Sequence, residues 1–171
     1  MPVFLDACAV AKRYLQEGRS SQTMKSIIGR PKQWGGLIVS SFVEIEVVSA
    51  IAKGARSLPV WQQPEALRHV PRTVGTFLAD YRSGAFSTVE LTPEILDAGI
   101  DRLRTNPKHE IGAGDAIHLA TALAVAAVNP GDPLVFATAD RGLYEAAKHH
   151  GLRVYNPNYE GSDRLSDYLR A

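Results

Sequence analysis

The feature that most constrains this chain is the spacing of its short apolar runs. Residues 3–5, 37–39, 86–91, 134–137 and 152–155 are apolar or alternating, and each is separated from the next by a stretch long enough for at least one helix. Strands that lie side by side in the same direction cannot be joined by a tight turn, so they need a crossover, which is normally helical. Strands buried on both faces read as continuous apolar runs rather than as strict alternation. The pattern therefore predicts an α/β chain, a three-layer α/β/α sandwich around a mainly parallel five-stranded sheet.

Helical spacing and punctuation fill the intervals. Helices are expected over 10–16, 20–28, 93–104, 115–128 and 141–150, with one more from Ser40-Ser41 to 52. A serine hydroxyl accepts from amides in the first turn, so Ser40-Ser41 read as an N-cap and Gly54 as a terminator. Pro59, Pro64 and Pro71 are expected to interrupt any long helix, leaving a helix over 71–82 with a stripe at Val74, Phe77, Leu78 and Tyr81. Thr92-Pro93-Glu94 reads as an N-cap followed by proline in the first turn. The Ala-rich stretch 115–128, closed by Asn129-Pro130-Gly131, is apolar nearly all round and is predicted to lie inside the protein. There is no repeat and no low-complexity linker, so the domain is placed at 1–157, with 158–171 as a tail carrying a short helix.

Composition excludes several classes. At 171 residues the chain suits one core. Cys8 is the single cysteine, so neither an internal disulfide nor a paired-cysteine zinc site is available. The longest apolar stretch, 119–128, is about half the roughly 20 residues of a membrane span. Met1-Pro2-Val3-Phe4-Leu5 has no basic leader and meets Asp6 early, so the expectation is a cytoplasmic protein without a membrane role. A formal net charge of +1 gives no global attraction to nucleic acid; polyanion binding must come from local charge or from metal ions.

Acids fall where such a sheet binds ligands. In open parallel sheets, ligands sit beyond the carboxyl ends of the strands. Asp6 ends the first run and Asp140 follows the fourth, while Glu46 and Asp115 lie near the starts of helices. Taken singly, Asp6, Asp115 and Asp140 are good helix N-caps, and Glu46 can be a solvated helix residue. Taken together they converge on one rim. Like charges a few ångströms apart repel by roughly 4 kcal/mol per pair at an effective dielectric of 20, so a cation is expected among them. Oxygen-only donors suit Mg²⁺ or Mn²⁺, which lowers the pKa of a coordinated water for attack on a phosphodiester. A metal-dependent nuclease follows as the expectation.

Four segments then carry a resemblance. Val3-Phe4-Leu5-Asp6-Ala7, Ser40-Ser41-Phe42-Val43-Glu44-Ile45-Glu46-Val47-Val48-Ser49-Ala50, Gly114-Asp115-Ala116-Ile117-His118-Leu119-Ala120-Thr121-Ala122 and Thr138-Ala139-Asp140-Arg141-Gly142-Leu143 follow in this order. With the ending Gly151-Leu152-Arg153-Val154-Tyr155-Asn156-Pro157, the chain resembles PIN-domain ribonucleases, most closely the VapC-type toxins of bacterial toxin–antitoxin pairs. The resemblance implies catalytic and metal-holding roles for Asp6, Glu46, Asp115 and Asp140, a supporting role for Thr138, Mg²⁺ or Mn²⁺ as cofactor, and RNA as substrate. It also implies a homodimer and a small antitoxin protein. Glu44 competes with Glu46, but two helical steps rotate a side chain by about 200°; Glu46 fits the family's Glu-x-x-Ser-Ala pattern. Arg141 is either a phosphate contact or an exposed helix residue.

Other residues admit plainer readings. His118, three positions after Asp115, either orients that carboxylate, shuttles a proton or is a satisfied core histidine. His149-His150 suit a helix C-terminus, and His69 and His109 read as surface. Cys8 reads as a small buried residue rather than a nucleophile. Lys12, Arg13, Lys53, Arg56, Arg82, Arg102, Arg104 and Lys108 either line an RNA groove or are simply solvated. Trp34 and Trp61, near glycine and proline turns, either stack a base or a partner peptide or serve packing or antitoxin binding. Leu15, Met24, Ile27 and Ile28 are core or part of an antitoxin groove. Competing with the nuclease is a PIN-like module that binds RNA or protein without cutting. A phosphotransfer receiver lacks a placed lysine, and an aspartate-nucleophile phosphatase needs a second Asp where Cys8 stands.

Overall fold

A strand of three residues leaves most of its backbone unpaired unless neighbours flank it on both sides. The central strand β1 (Val3–Leu5) has both. In the computed structural model, which describes residues 1–15, 18–105, 111–128 and 130–170, β1 pairs in parallel with β2 (Leu37–Ser40), Val3 opposite Leu37, and with β4 (Val135–Ala137), Phe4 opposite Phe136. β3 (Ser87–Val89) extends the sheet beside β2, and β5 (Arg153–Tyr155) extends it beside β4, giving the order β3-β2-β1-β4-β5 with every pairing parallel.

Successive strand side chains point to opposite faces, and both faces are covered. Val3, Leu5, Leu37, Val39, Val135, Ala137 and Tyr155 meet α1 (Ala7–Lys12), α2 (Arg19–Ile28), α3 (Val43–Arg56), α4 (Gln63–Arg82) and α8 (Ser162–Arg170). Phe4, Phe136 and Val154 meet α6 (Ala113–Val128) and α7 (Arg141–His149), with Phe4 and Phe136 stacked 5.7 Å apart. Outside these, α5 (Pro93–Thr105) packs on α6. Leu165 of α8 is fully buried in the first of these cores, so the helix of the tail is tied to the domain.

Several expectations need correction. α1 starts directly after Asp6 and ends at Lys12, four residues sooner than expected; Gln16 lies outside the described residues. Neither Ser40 nor Ser41 caps α3: Ser41 Oγ accepts from Leu91 N and Ser40 turns to His118. Gly54 does not end α3, which runs through it to Arg56. A Cβ there would stand 3.2 Å from Leu15 Cδ2, so glycine serves the close approach of Leu15. α4 begins at Gln63 and passes through Pro71. The lost amide would have served the Leu67 carbonyl, and both residues face solvent, where water can replace it. The inside position expected for 115–128 holds for the middle of α6 only; Val128 is 86% exposed.

Trp34, Met24, Ile27 and Ile28 are core residues, and Trp34 Nε1 donates to Ile27 O at 2.9 Å. They form no groove. Leu15 is half-buried, and Trp61 is exposed. Arg13 pairs with Asp80 at 2.9 Å and Arg104 with Asp101, while Lys108, His109 and Asn129 lie outside the described residues.

Candidate metal and active site

From the central strands the chain leaves in two directions: β2 and β3 lie to one side of β1, β4 and β5 to the other. Connections diverge at such a point, which is where open α/β sheets bind ligands. Asp6 and Asp140 follow the two strands that flank it. Asp6 caps α1, its Oδ1 accepting from Ala9 N at 2.6 Å, and its Oδ2 accepts from Thr138 Oγ1 at 2.7 Å. The Thr138 oxygen also accepts from Asp140 N at 3.0 Å, and Asp140 Oδ1 caps α7 through Leu143 N. One threonine thus ties the two strand ends together.

The other acids ride on helices. Asp115 is not an N-cap: it stands third in α6 and reaches back, Oδ2 accepting from Gly112 N at 2.8 Å. Glu46, in the first turn of α3, places Oε2 2.5 Å from His118 Nε2, while His118 Nδ1 lies 3.1 Å from Ser40 Oγ. His118 is 1% exposed, so it is indeed a satisfied buried histidine, but its partner is Glu46 rather than Asp115. The Glu46 carboxylate also lies on Gly114, where any Cβ would collide with its Oε1. α6 therefore supplies one acid, the histidine that holds a second, and the gap that admits it. Glu44 turns elsewhere, lining an apolar hollow with Phe42, Ile45 and Leu91.

Electrostatics shows the acids acting on one another. Burial pushes the Asp6 carboxyl up to about 6; His118, Thr138 and the Ala9 amide pull it back, and the charge of Asp115 raises it further. Asp115 is also raised, first by burial and then by Asp140 and Glu46, against the Gly112 amide and His118. Cys8 reaches solvent, contrary to the buried position expected. Its thiol is nevertheless pushed far up, first by desolvation and then by Asp6, Asp115, Asp140 and Glu46 in turn. A thiol kept protonated by four carboxylates is no nucleophile.

The PIN domain model matches residues 3–149. The chain belongs to the PIN domain family. Solved structures agree in fold. FitAcB from Neisseria gonorrhoeae has 16% identity and a TM-score of 0.53, over 92% of this chain and 99% of that one. VapC20 of Mycobacterium tuberculosis, a toxin that cleaves the sarcin-ricin loop, has 15% identity and a TM-score of 0.59, over 84% and 94%. PAE2754 from Pyrobaculum aerophilum has 19% identity and a TM-score of 0.51, over 100% and 91%. A comparison with curated proteins finds no match.

The donors of this PIN domain fit a hard cation in kind. All are carboxylate oxygens, and Glu46, Asp115 and Asp140 each keep one oxygen without a hydrogen bond to the described residues. Among the described residues no group of three His, Cys, Asp or Glu side chains is arranged to hold a metal ion as it stands. The pull of His118 on Glu46 is the contact a cation would have to share. Sequence reasoning missed Ser40 as an anchor and Gly114 as a cradle; both depend on contacts between residues far apart in the chain, so no local signal marked them.

Proposed function

We propose that this PIN domain is a metal-dependent endoribonuclease, a toxin neutralised by a cognate antitoxin, working as a homodimer in the cytoplasm. The nuclease unit is residues 1–157, and 158–171 form an added tail. The observation that supports this most is the gathering of acids at the sheet's switch point, where Thr138 joins Asp6 to Asp140 and α6 carries both Asp115 and the histidine that holds Glu46.

In this reading the four acids hold Mg²⁺ or Mn²⁺. Such a cation supplies a water of lowered pKa as nucleophile and offsets the charge of the phosphodiester. Thr138 fixes Asp6 by donating to its Oδ2, and His118 positions Glu46. Burial and neighbouring charge raise the carboxyls of Asp6 and Asp115, so a cation held there would compete with protons. In this reading the antitoxin covers the hollow of about 670 Å³ between the turn after α1, α3 and α4, whose walls include Leu15, Ile51, Ala55 and Val70. No helix among the described residues is long and apolar enough to cross a membrane.

The test is cleavage of a mixed RNA pool with and without Mg²⁺ or Mn²⁺, comparing wild type with Asp115→Asn. Cutting that needs the metal and disappears in a folded variant is expected. Equal cutting by both proteins would remove the catalytic assignment, and no cutting by either would favour the non-cleaving binding module.

A further inference from the structure

A second hollow, of about 420 Å³, opens beside Asp140 and is lined by Arg141, Tyr144, Glu145, Asn156, Tyr159 and Glu160. Its size lies in the usual small-ligand range of about 300–1,000 Å³. It is stitched to the acidic rim: Asn158 Nδ2 donates to Ala139 O at 3.0 Å, and Thr138 N donates to Tyr155 O. The Tyr155-Asn156-Pro157 ending thus forms a wall of this hollow.

Asn156 is 3% exposed, and its Oδ1 accepts from Asn158 N. Its Nδ2 bonds to none of the described residues. Arg102 Nε is the only side-chain nitrogen or oxygen among the described residues that is both fully shut off and unpartnered, so Asn156 Nδ2 keeps some access, and Asn156 is one of the residues lining the hollow. A donor that keeps such access is satisfied by water until a ligand acceptor takes the water's place. Glu160 is committed to the wall, its two oxygens accepting from Asn156 N and Tyr168 Oη. Glu145 is exposed and makes no bond to a described residue, and Tyr159, 76% exposed, also lines the hollow.

We propose that this hollow seats one unpaired nucleotide next to the phosphodiester at the acidic rim, its base stacked on Tyr159 and its edge read by Glu145 and Asn156, with guanine preferred. The proposal rests on the nuclease reading. Single-stranded bases are recognised by aromatic stacking and by hydrogen bonds to their Watson–Crick edges. Guanine offers two neighbouring N–H groups to a carboxylate and a carbonyl oxygen to an amide donor, matching Glu145 and Asn156. Arg141, at the start of α7 and next to Asp140, faces the adjoining phosphate.

The test measures binding of fluorescein-labelled hexauridine, and of hexamers with one uridine replaced by G, A or C, in EDTA so that no strand is cut. Wild type should bind the G hexamer at least about fivefold tighter than the others. Tyr159→Ala should weaken every hexamer about tenfold, and Glu145→Gln should shrink the guanine preference at least threefold. Equal affinity for all hexamers, no binding, or a preference untouched by Glu145→Gln overturns the proposal. Metal-dependent, Asp115-dependent cutting without base preference would remove this subsite and leave the nuclease reading intact. Base preference without any cutting would do the reverse.

Discussion

The acids that end strands and the acids that stand on helices share one rim but are held differently. Asp6 and Asp140 each give an oxygen to the third amide of a following helix, and Thr138 joins them. Capping of this kind contributes about 0.5–2 kcal/mol, so the fold itself has a use for both. Glu46 has no such employment: a histidine from another helix holds it over a glycine. Asp115 reaches back to one amide and sits where burial and two like charges disfavour its ionised form. Stability alone would not select this second pair, so the case for chemistry rests most on Glu46 and Asp115.

The strongest way to break that comparison is Gly114→Ala. The added methyl collides with the Glu46 Oε1, and the carboxylate, at the end of a flexible side chain, swings aside. A misplacement of about 1 Å at a reacting site can cost roughly 100-fold, so RNA cleavage should fall about that much. Alanine in a helix is favoured over glycine by up to about 1 kcal/mol, which roughly offsets the lost bond between Glu46 and the buried His118, so the melting temperature should change little. Full activity in this variant would show that Glu46 has no part in the reaction.

A second expectation separates the pairs by pH. Asp6 titrates near 6 in the fold against an ordinary 3.8. Between those values the folded state binds more protons than the unfolded one, so stability of the metal-free protein falls as pH rises through the window. The shift corresponds to about 3 kcal/mol, with Asp115 acting in the same direction. Urea unfolding at pH 4, 5, 6 and 7 with EDTA should show the decline, and Asp6→Asn should flatten most of it. A stability that rises across this range would mean the carboxylate is better solvated than its burial implies.

What the sequence made legible follows the same division. The five strands, their parallel order and the acids at their ends could be read because apolar runs and the aspartates that end them are local signals. The capping of α1 and α7 by Asp6 and Asp140 was equally local. α4 escaped because the cost of Pro71 depends on whether the orphaned Leu67 carbonyl meets water, which is a property of the packed chain. The Ser40–His118–Glu46 chain escaped for the same reason: Ser40 and His118 are 78 residues apart, and Glu46 and His118 are 72 apart. The same serine read locally is a helix cap. Only the docking of α6 against β2 turns it toward the histidine.

Ser40→Ala gives the smallest and most discriminating effect. The Ser40 hydroxyl is the only partner of His118 Nδ1 among the described residues, and both side chains are buried. Losing one such bond costs about 1 kcal/mol, or roughly 2–4 °C in melting temperature for a chain of this length. The imidazole then has a single tether, its bond to Glu46, and cleavage should drop several-fold, towards the lower end of the roughly 10- to 100-fold range seen for residues that orient a ligand from behind. The pH-dependent loss of stability belongs mainly to Asp6, whose hydrogen bonds run to Ala9 and Thr138, and should persist in this variant. If Ser40→Ala instead removed that slope, the strand-end and helix-borne acids would be one coupled unit rather than two separately held pairs.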